Sequence, residues 1–222
     1  PMTIRFAEIT NAGDIINETE LDSNVCDCCQ TSITHTDKGP LVVYRDRSKT
    51  EVRDIYMTRN IDDGWEAPTP VHNDGWVIYG CPVNGPKVVS YENNIAVSWF
   101  TVSDAKPTVN LSFSRFYGAS FDEPIKINDL NAIGRVDVAF LNEKEVIVSY
   151  MEGDDDGTYL RIKKVSLDGK VSEPITISRI DGGRSTGVPQ LEILNDEIFI
   201  VWTVSEDEIN QLKTVKLSSA NI

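Results

Sequence analysis

The stretch IAVSWFT (95–101) decides how this chain folds, because variants of it recur as LVVYRD (41–46), VIVSYME (146–152) and IFIVWTV (198–204). Each is an apolar run closing on an aromatic residue. The aromatics Tyr44, Trp99, Tyr150 and Trp202 return at a period of about 50 residues. A Gly/Pro-containing run precedes the later three, as CPVNGPKVV (81–89), GRVDVAF (134–140) and GVPQLEI (187–193), and CQTSITHT (29–36) precedes the first. Glycine turns running into proline close three of the units, at Gly64–Pro68, Gly118–Pro124 and Gly169–Pro174. Short strands repeating at this period specify an all-β fold, a β-propeller of about four blades.

Working outward, alternation in VRDIYMTR (52–59), TVNLSFSR (108–115), YLRIKKVS (159–166) and QLKTVKLS (211–218) marks strands exposed on one face. Turn residues stand between them, at Asn11-Ala12-Gly13, Asp63-Gly64 and Asp168-Gly169. The N-terminal MTIRFAEIT and DIINETELD read as two outer strands without an inner one, so the chain is expected to start mid-blade. The domain reading is one array: 1–22 a partial blade, 23–73, 74–130 and 131–182 blades, and 183–222 a partial or closing blade. The acidic EGDDDG (152–157) reads as a solvated loop, since it lacks the ligand alternation of a calcium loop.

The 222 residues carry 35 Asp and Glu against 21 Lys and Arg, a formal net charge of −14. Such a surface repels duplex nucleic acid and anionic membrane, so neither is an expected partner. No apolar run has the length of a membrane span, and PMTIRFAE has neither the basic start nor the apolar core of a signal peptide.

Propeller geometry sorts residues further, because the starts of inner strands and the ends of second strands share one rim near the axis. The starts bring Cys29, Gln30, Cys81, Asn84, Arg135, Asp137, Arg184 and Ser185 to that rim. The ends bring Arg45, Asp46, Arg47, Thr101, Glu152 and Thr203. Arginines converging with carboxylates in an acidic chain make this rim the candidate site.

These residues also carry a family resemblance. The glycine-turn-aromatic corners resemble the Asp-box repeats (Ser-x-Asp-x-Gly-x-x-Trp/Phe) of the sialidase superfamily. Ser114-Arg-Phe-Tyr-Gly118-Ala-Ser-Phe121 keeps the serine, glycine and aromatic and has Phe116 at the aspartate position. A closer similarity is to a bacterial sialidase-like group, through VCDCCQTS (25–32), VVYRDRS (42–48), EVRDIY (51–56), DGW (74–76), GCPVNGP (80–86), SWFT (98–101) and GRVDV (134–138). The resemblance implies a secreted or periplasmic protein and a six-bladed ring, of which this chain is the C-terminal two-thirds with further blades upstream. A closed four-bladed ring, with the N-terminal strands completing the last blade, is the rival.

Sialidases hold a substrate carboxylate with three arginines, whose planar forks match it in a bidentate way. The resemblance therefore casts Arg135 and Arg184 in that triad, with Arg45 or Arg47 as the third and Asn84 as a further substrate contact. Asp46 and Asp137 become acid/base candidates, Glu152 a possible partner, and Tyr79 a candidate nucleophile. The Arg-Ile-Pro motif that opens sialidases is not in this chain. The competing structural reading is that the arginines and aspartates of YRDR and VRDI pair across blades.

All four cysteines fall in two places, Cys26, Cys28 and Cys29 in one run and Cys81 in the other. The repeat sets Cys29 and Cys81 at equivalent inner-strand starts. A disulfide between the run and Cys81 is the preferred reading. A Zn or Cu thiolate site and free buried thiols are the alternatives, and no other cofactor is expected. His35 reads as a packing residue, and His72 precedes DGW within reach of the cysteine rim. Trp99 and Trp202 belong between blades and Trp65 to a corner, leaving Trp76 as the one tryptophan suited to stacking on a sugar. Two functions follow: a glycan-binding propeller for a carbohydrate or small acidic ligand, extending to hydrolysis of a terminal sialic acid or related sugar, or a non-catalytic scaffold stapled by its cysteines.

Overall fold

A computed structural model describes residues 2–62, 64–206 and 209–222. The chain is all-β and builds a β-propeller array of antiparallel sheets. Strands β1 (Met2–Ile9) and β2 (Ile15–Val25) form a hairpin of their own. The next sheet holds β3 (Ser32–Thr36), β4 (Gly39–Arg45), β5 (Ile55–Ile61), β6 (Gly64–Trp65) and β7 (Thr69–Pro70), with the last two both pairing β5. A four-stranded sheet follows, β8 (Lys87–Tyr91), β9 (Asn94–Ser103), β10 (Lys106–Ser114) and β11 (Ile125–Lys126). Its neighbour is β12 (Asn131–Asn142), β13 (Glu145–Asp154), β14 (Gly157–Ser166) and β15 (Ile175–Ile180). The last sheet is β16 (Gln190–Leu194), β17 (Glu197–Glu206) and β18 (Ile209–Ser218). The turn read at Asp63-Gly64 falls partly outside the described residues.

The recurring aromatic strands are β4, β9, β13 and β17, the second strand of each sheet. β4, β9 and β13 are largely apolar because blades cover both their faces, whereas β17 in the last sheet leaves Phe199 exposed. Seven consecutive residues of β9, Ile95–Thr101, are buried. Apolar layers accordingly alternate with sheets. Leu21, Val25, Val42 and Tyr44 join the N-terminal hairpin to the first full blade. Val43, Ile55 and Met57 meet Val97 and Trp99 in the next layer, and Phe100, Leu111 and Phe113 meet Val136, Val148 and Tyr150 in the one after. Ile147, Met151 and Ile162 meet Leu191, Ile200 and Trp202 in the last. Trp99 is fully enclosed, and its indole N–H donates to Asp74 Oδ2 at 2.7 Å.

The corner at Ser114 folds without the aspartate. Ser114 Oγ accepts the Gly118 N–H at 3.0 Å, Phe121 packs on the preceding blade, and Phe116 points into solvent. Trp65 lies against Phe6 of the hairpin with ring centroids 4.8 Å apart. That contact bears on ring closure. The N-terminal strands dock on the first full blade, and among the described residues they form no ladder with β16–β18, so they do not complete the last sheet as the four-bladed rival requires.

Candidate functional site

Arg45 ends β4 pointing toward the next blade and is 2% exposed. Its Nε and Nη2 both donate to the carbonyl of Asn84, at 3.1 and 2.9 Å. Nη2 also reaches the Phe100 carbonyl at 2.7 Å, and Nη1 the Arg53 carbonyl at 2.6 Å. The guanidinium lies 4.9 Å from the centroid of a Trp76 ring. Its donors are thus spent on backbone acceptors, so Arg45 locks blades and does not serve as the third ligand arginine.

Asn84 continues the lock. Its Nδ2 donates to the Ile133 carbonyl at 3.1 Å, and its Oδ1 accepts the Arg135 N–H at 2.8 Å. Arg135 has φ +54°, in a bulge of β12 that follows Gly134. A Cβ on Gly134, at φ +90°, would stand 2.4 Å from Asn84 Oδ1 and 2.8 Å from Phe100 Cβ, so only glycine fits. Gly85 is confined in the same way: an added Cβ would meet the Gln30 carbonyl oxygen at 2.0 Å. These two glycines let the run Cys81–Pro86 pass between its neighbours. Asn84, read as a substrate contact, is therefore a joint between blades.

Arg135 reaches across to the segment before β16, donating through Nη1 to the Gly187 carbonyl and through Nη2 to the Gly183 carbonyl at 3.3 Å. Arg184 stands in that segment, exposed, in a short 3-10 helix Arg184–Thr186. Burial and the charge of Arg184 both push the Arg135 guanidinium below its ordinary pKa. Among the described residues no carboxylate forms an ion pair with either guanidinium. Arg47 instead is neutralised, its Nη2 2.8 Å from Glu51 Oε1.

The carboxylates divide sharply. Asp137 is 6% exposed, accepts the N–H groups of Val138 (2.8 Å) and Leu191 (2.9 Å), and faces Lys87 Nζ at 3.5 Å. It latches β12 to β16, and burial raises its pKa. Glu152 is fully enclosed; its Oε2 takes the N–H groups of Asp129 and Leu130, and its Oε1 takes Arg161 Nη1, each at 2.7 Å. Glu152 is thereby consumed within the fold, whereas Asp137, though engaged as a latch, borders a cavity of about 510 Å³ together with Lys87 and Gln190. Asp46 differs. It is half-buried, and burial, with Asp22 and Asp54 adding like charge, pushes its carboxyl up to about 6. Asp22 is engaged by the Tyr44 hydroxyl at 2.7 Å and Asp54 by the Gly75 and Trp76 N–H groups, whereas among the described residues no side chain donates to Asp46.

Trp76 is 7% exposed, edge-on to Phe100 with centroids 5.6 Å apart and beneath Arg45. With its ring enclosed in this way it packs the core and offers no platform to a sugar. Tyr79 is the exposed aromatic of this segment, at 87%, over an open cleft of about 420 Å³ lined by Asp27, Arg47, Glu51, Arg53 and Cys81. No carboxylate holds its hydroxyl among the described residues. His35 is exposed on β3 and not packed, and His72 lies 4.0 Å from Asp74.

All four sulfurs meet beneath this cleft. Cys28 and Cys81 form a disulfide with Cα atoms 6.1 Å apart. Cys26 Sγ lies 3.7 Å from Cys28 Sγ and 3.3 Å from Cys29 Sγ. Arg53, 4% exposed and held by Glu51 at 2.7 Å, donates Nη1 to Cys26 Sγ at 3.3 Å. The contact with Cys29, together with Arg53, draws the Cys26 thiol down to about 5, and the same contact and burial push Cys29 up. Arg53 escapes a sequence reading centred on strand ends, since it lies on the edge segment before β5. Its signal was the alternation in EVRD, which sends Arg53 to the sulfurs and Asp54 to the opposite side.

No family model matches this chain, and no curated protein does. Solved structures match its fold. The phage phi92 endosialidase is 12% identical, with a TM-score of 0.61, over 91% of this chain and 38% of the other. The catalytic domain of the Coprinopsis cinerea GH62 α-L-arabinofuranosidase is 12% identical, with a TM-score of 0.52, over 86% and 65%. An exo-β-1,3-galactanase from Phanerochaete chrysosporium is 13% identical, with a TM-score of 0.50, over 98% and 54%. At such identities the likeness is one of β-propeller fold. This chain spans under two thirds of the length of each of these three.

Proposed function

We propose that this β-propeller binds a glycan bearing an acidic sugar, with the exposed Arg184 meeting its carboxylate and Arg135, 7% exposed and held by backbone carbonyls, adding its charge from behind. One observation carries the reading: Arg135 bonds the Gly183 and Gly187 carbonyls that flank Arg184, so two arginines from neighbouring blades share one segment, neither ion-paired with a carboxylate among the described residues, in a chain of net charge −14. Adjacent like charges repel, and an anion set between them converts that repulsion into attraction. The carbonyls of Gly183 and Gly187 orient Arg135 in advance, which lowers the entropy lost on binding. The three matched propellers are an endosialidase, an arabinofuranosidase and a galactanase, and support for a glycan ligand comes from that shared fold. A Cys28–Cys81 disulfide suits a secreted or periplasmic setting.

Hydrolysis of the bound acidic sugar is a second reading, favoured by Asp46, whose carboxyl near pH 6 suits a general acid. A glycan array carrying sialylated, uronate-bearing and neutral chains tests the first reading, with Arg184→Ala as its control. Retention of acidic glycans that fails in the variant supports it; retention of neutral glycans alone contradicts it. Fluorogenic glycosides of the retained sugar test the second, which stands on turnover that disappears in Asp46→Asn. If nothing is retained, the chain is a scaffold propeller.

A further inference from the structure

We propose that, once the Cys28–Cys81 disulfide is reduced, Cys26, Cys28, Cys29 and Cys81 form one thiolate site for a soft d10 cation, Zn²⁺ or Cu⁺. The geometry comes first. A tetrahedral ion with metal–sulfur bonds near 2.3 Å sets its sulfurs about 3.8 Å apart. Cys26 Sγ already lies 3.7 Å from Cys28 Sγ and 3.3 Å from Cys29 Sγ, and the three sulfurs sit within 4.8 Å of one another. Cys81 Sγ is bonded to Cys28 Sγ, so breaking that bond releases a fourth sulfur at the same point.

The surroundings suit thiolates. Arg53 donates an N–H to Cys26 Sγ, and Arg45 lies beside Cys29. Four thiolates around Zn²⁺ carry two net negative charges, which the buried Arg45 and, shared with Glu51, Arg53 offset in part. The ligands come from two segments that meet between blades, 26–29 and the loop of Cys81, where Gln30 Oε1 also accepts the Gly85 N–H at 3.0 Å. A bound ion therefore bridges the same joint as the disulfide.

The chemistry balances with a dithiol as reductant. Its two sulfurs form a disulfide, Cys28 and Cys81 each take one proton as thiols, and the entering cation then displaces thiol protons to solvent. Oxidised and metal-loaded forms are thus alternatives for the same four sulfurs.

The test reduces the whole chain with a dithiol under anaerobic conditions, removes the reductant, and titrates Zn²⁺ and Cu⁺ separately. Bound metal is counted by elemental analysis. Co²⁺, used as a probe for Zn²⁺, reports the number of thiolate ligands through its sulfur-to-metal charge-transfer intensity. The expected result is one ion per reduced chain and none per oxidised chain, with the tighter of the two cations naming the occupant. Cys29→Ser lowers the charge-transfer intensity, and Arg53→Gln, which keeps every sulfur, weakens affinity roughly 10-fold. Circular dichroism on each variant separates ligand loss from unfolding. Reduced, folded protein that takes no more of either cation than the oxidised form overturns the proposal. So does a Co²⁺ spectrum showing two thiolates or fewer.

Discussion

The carbonyl oxygen of Asn84 takes two N–H groups from Arg45, at 3.1 and 2.9 Å, while the side chain of Asn84 takes the backbone N–H of Arg135. One asparagine thereby ties the end of β4 to β12, and Arg45 extends the tie to the Phe100 carbonyl of β9. The arrangement divides the arginines of that rim by function. Arg45 is consumed by the lock, and the Arg135 side chain is directed past it toward the exposed Arg184.

Arg45→Lys is expected to destabilise the fold although it keeps the charge. A lysine has no planar fork with which to reach the carbonyls of Asn84, Arg53 and Phe100 together. Leaving buried acceptors unpaired costs about 1–3 kcal/mol each, so urea unfolding should show a loss of about 2–4 kcal/mol with the slope unchanged. A midpoint equal to that of the native chain would contradict the lock.

How much of this was legible in sequence follows from where the signals sit. Tyr44, Trp99, Tyr150 and Trp202 announced the second strands because each is buried in an apolar run, a pattern that survives in one sequence. Arg45 and Arg135 were legible as rim residues, but their partners are the carbonyls of Asn84, Phe100, Gly183 and Gly187, and backbone acceptors have no side-chain signature. Trp76 was misread for the same reason: its cover is Arg45 and Phe100, both distant in sequence. For the cysteines the repeat aligned Cys29 with Cys81, yet the bend at residues 27–29 presents Cys28 instead.

Trp99→Ala should cost about 3–5 kcal/mol, because it empties the layer between the first two full blades and leaves Asp74 without its 2.7 Å donor. Trp99→Phe refills much of the volume but still orphans the carboxylate. It should fall between the native chain and the alanine variant in thermal unfolding.

Asp46 gives a pH-dependent expectation. Its folded-state pKa, about 6, lies above the ordinary 3.8, so the folded state binds the proton more tightly than the unfolded chain. Its charged form therefore opposes folding at high pH. The opposition is relieved as pH falls through about 6 and is gone below about 3.8. Asp46→Asn should accordingly raise the unfolding midpoint at about pH 8 and lose that advantage near pH 4. A constant difference across this window would show that Asp46 is not perturbed.

Reduction of the Cys28–Cys81 disulfide, with metal excluded by a chelator, removes a cross-link between residues 53 apart in sequence. Chain entropy puts the expected loss at about 4 kcal/mol. Denaturant unfolding of oxidised and reduced protein measures it, and equal midpoints would mean that the linked loops are held by packing alone.

The most direct measurement of the central claim follows the arginine Nε–H resonances of the ¹⁵N-labelled chain while sialic, glucuronic and galacturonic acids are added in turn, with neutral sugars as the comparison. The account predicts that Arg135 and Arg184 shift with at least one acid, that Arg45 does not move, and that Arg184→Ala weakens that binding about 10- to 100-fold. Shifts at Arg45, or equal responses to acidic and neutral sugars, or no response at Arg135 and Arg184 to any acid, would contradict it.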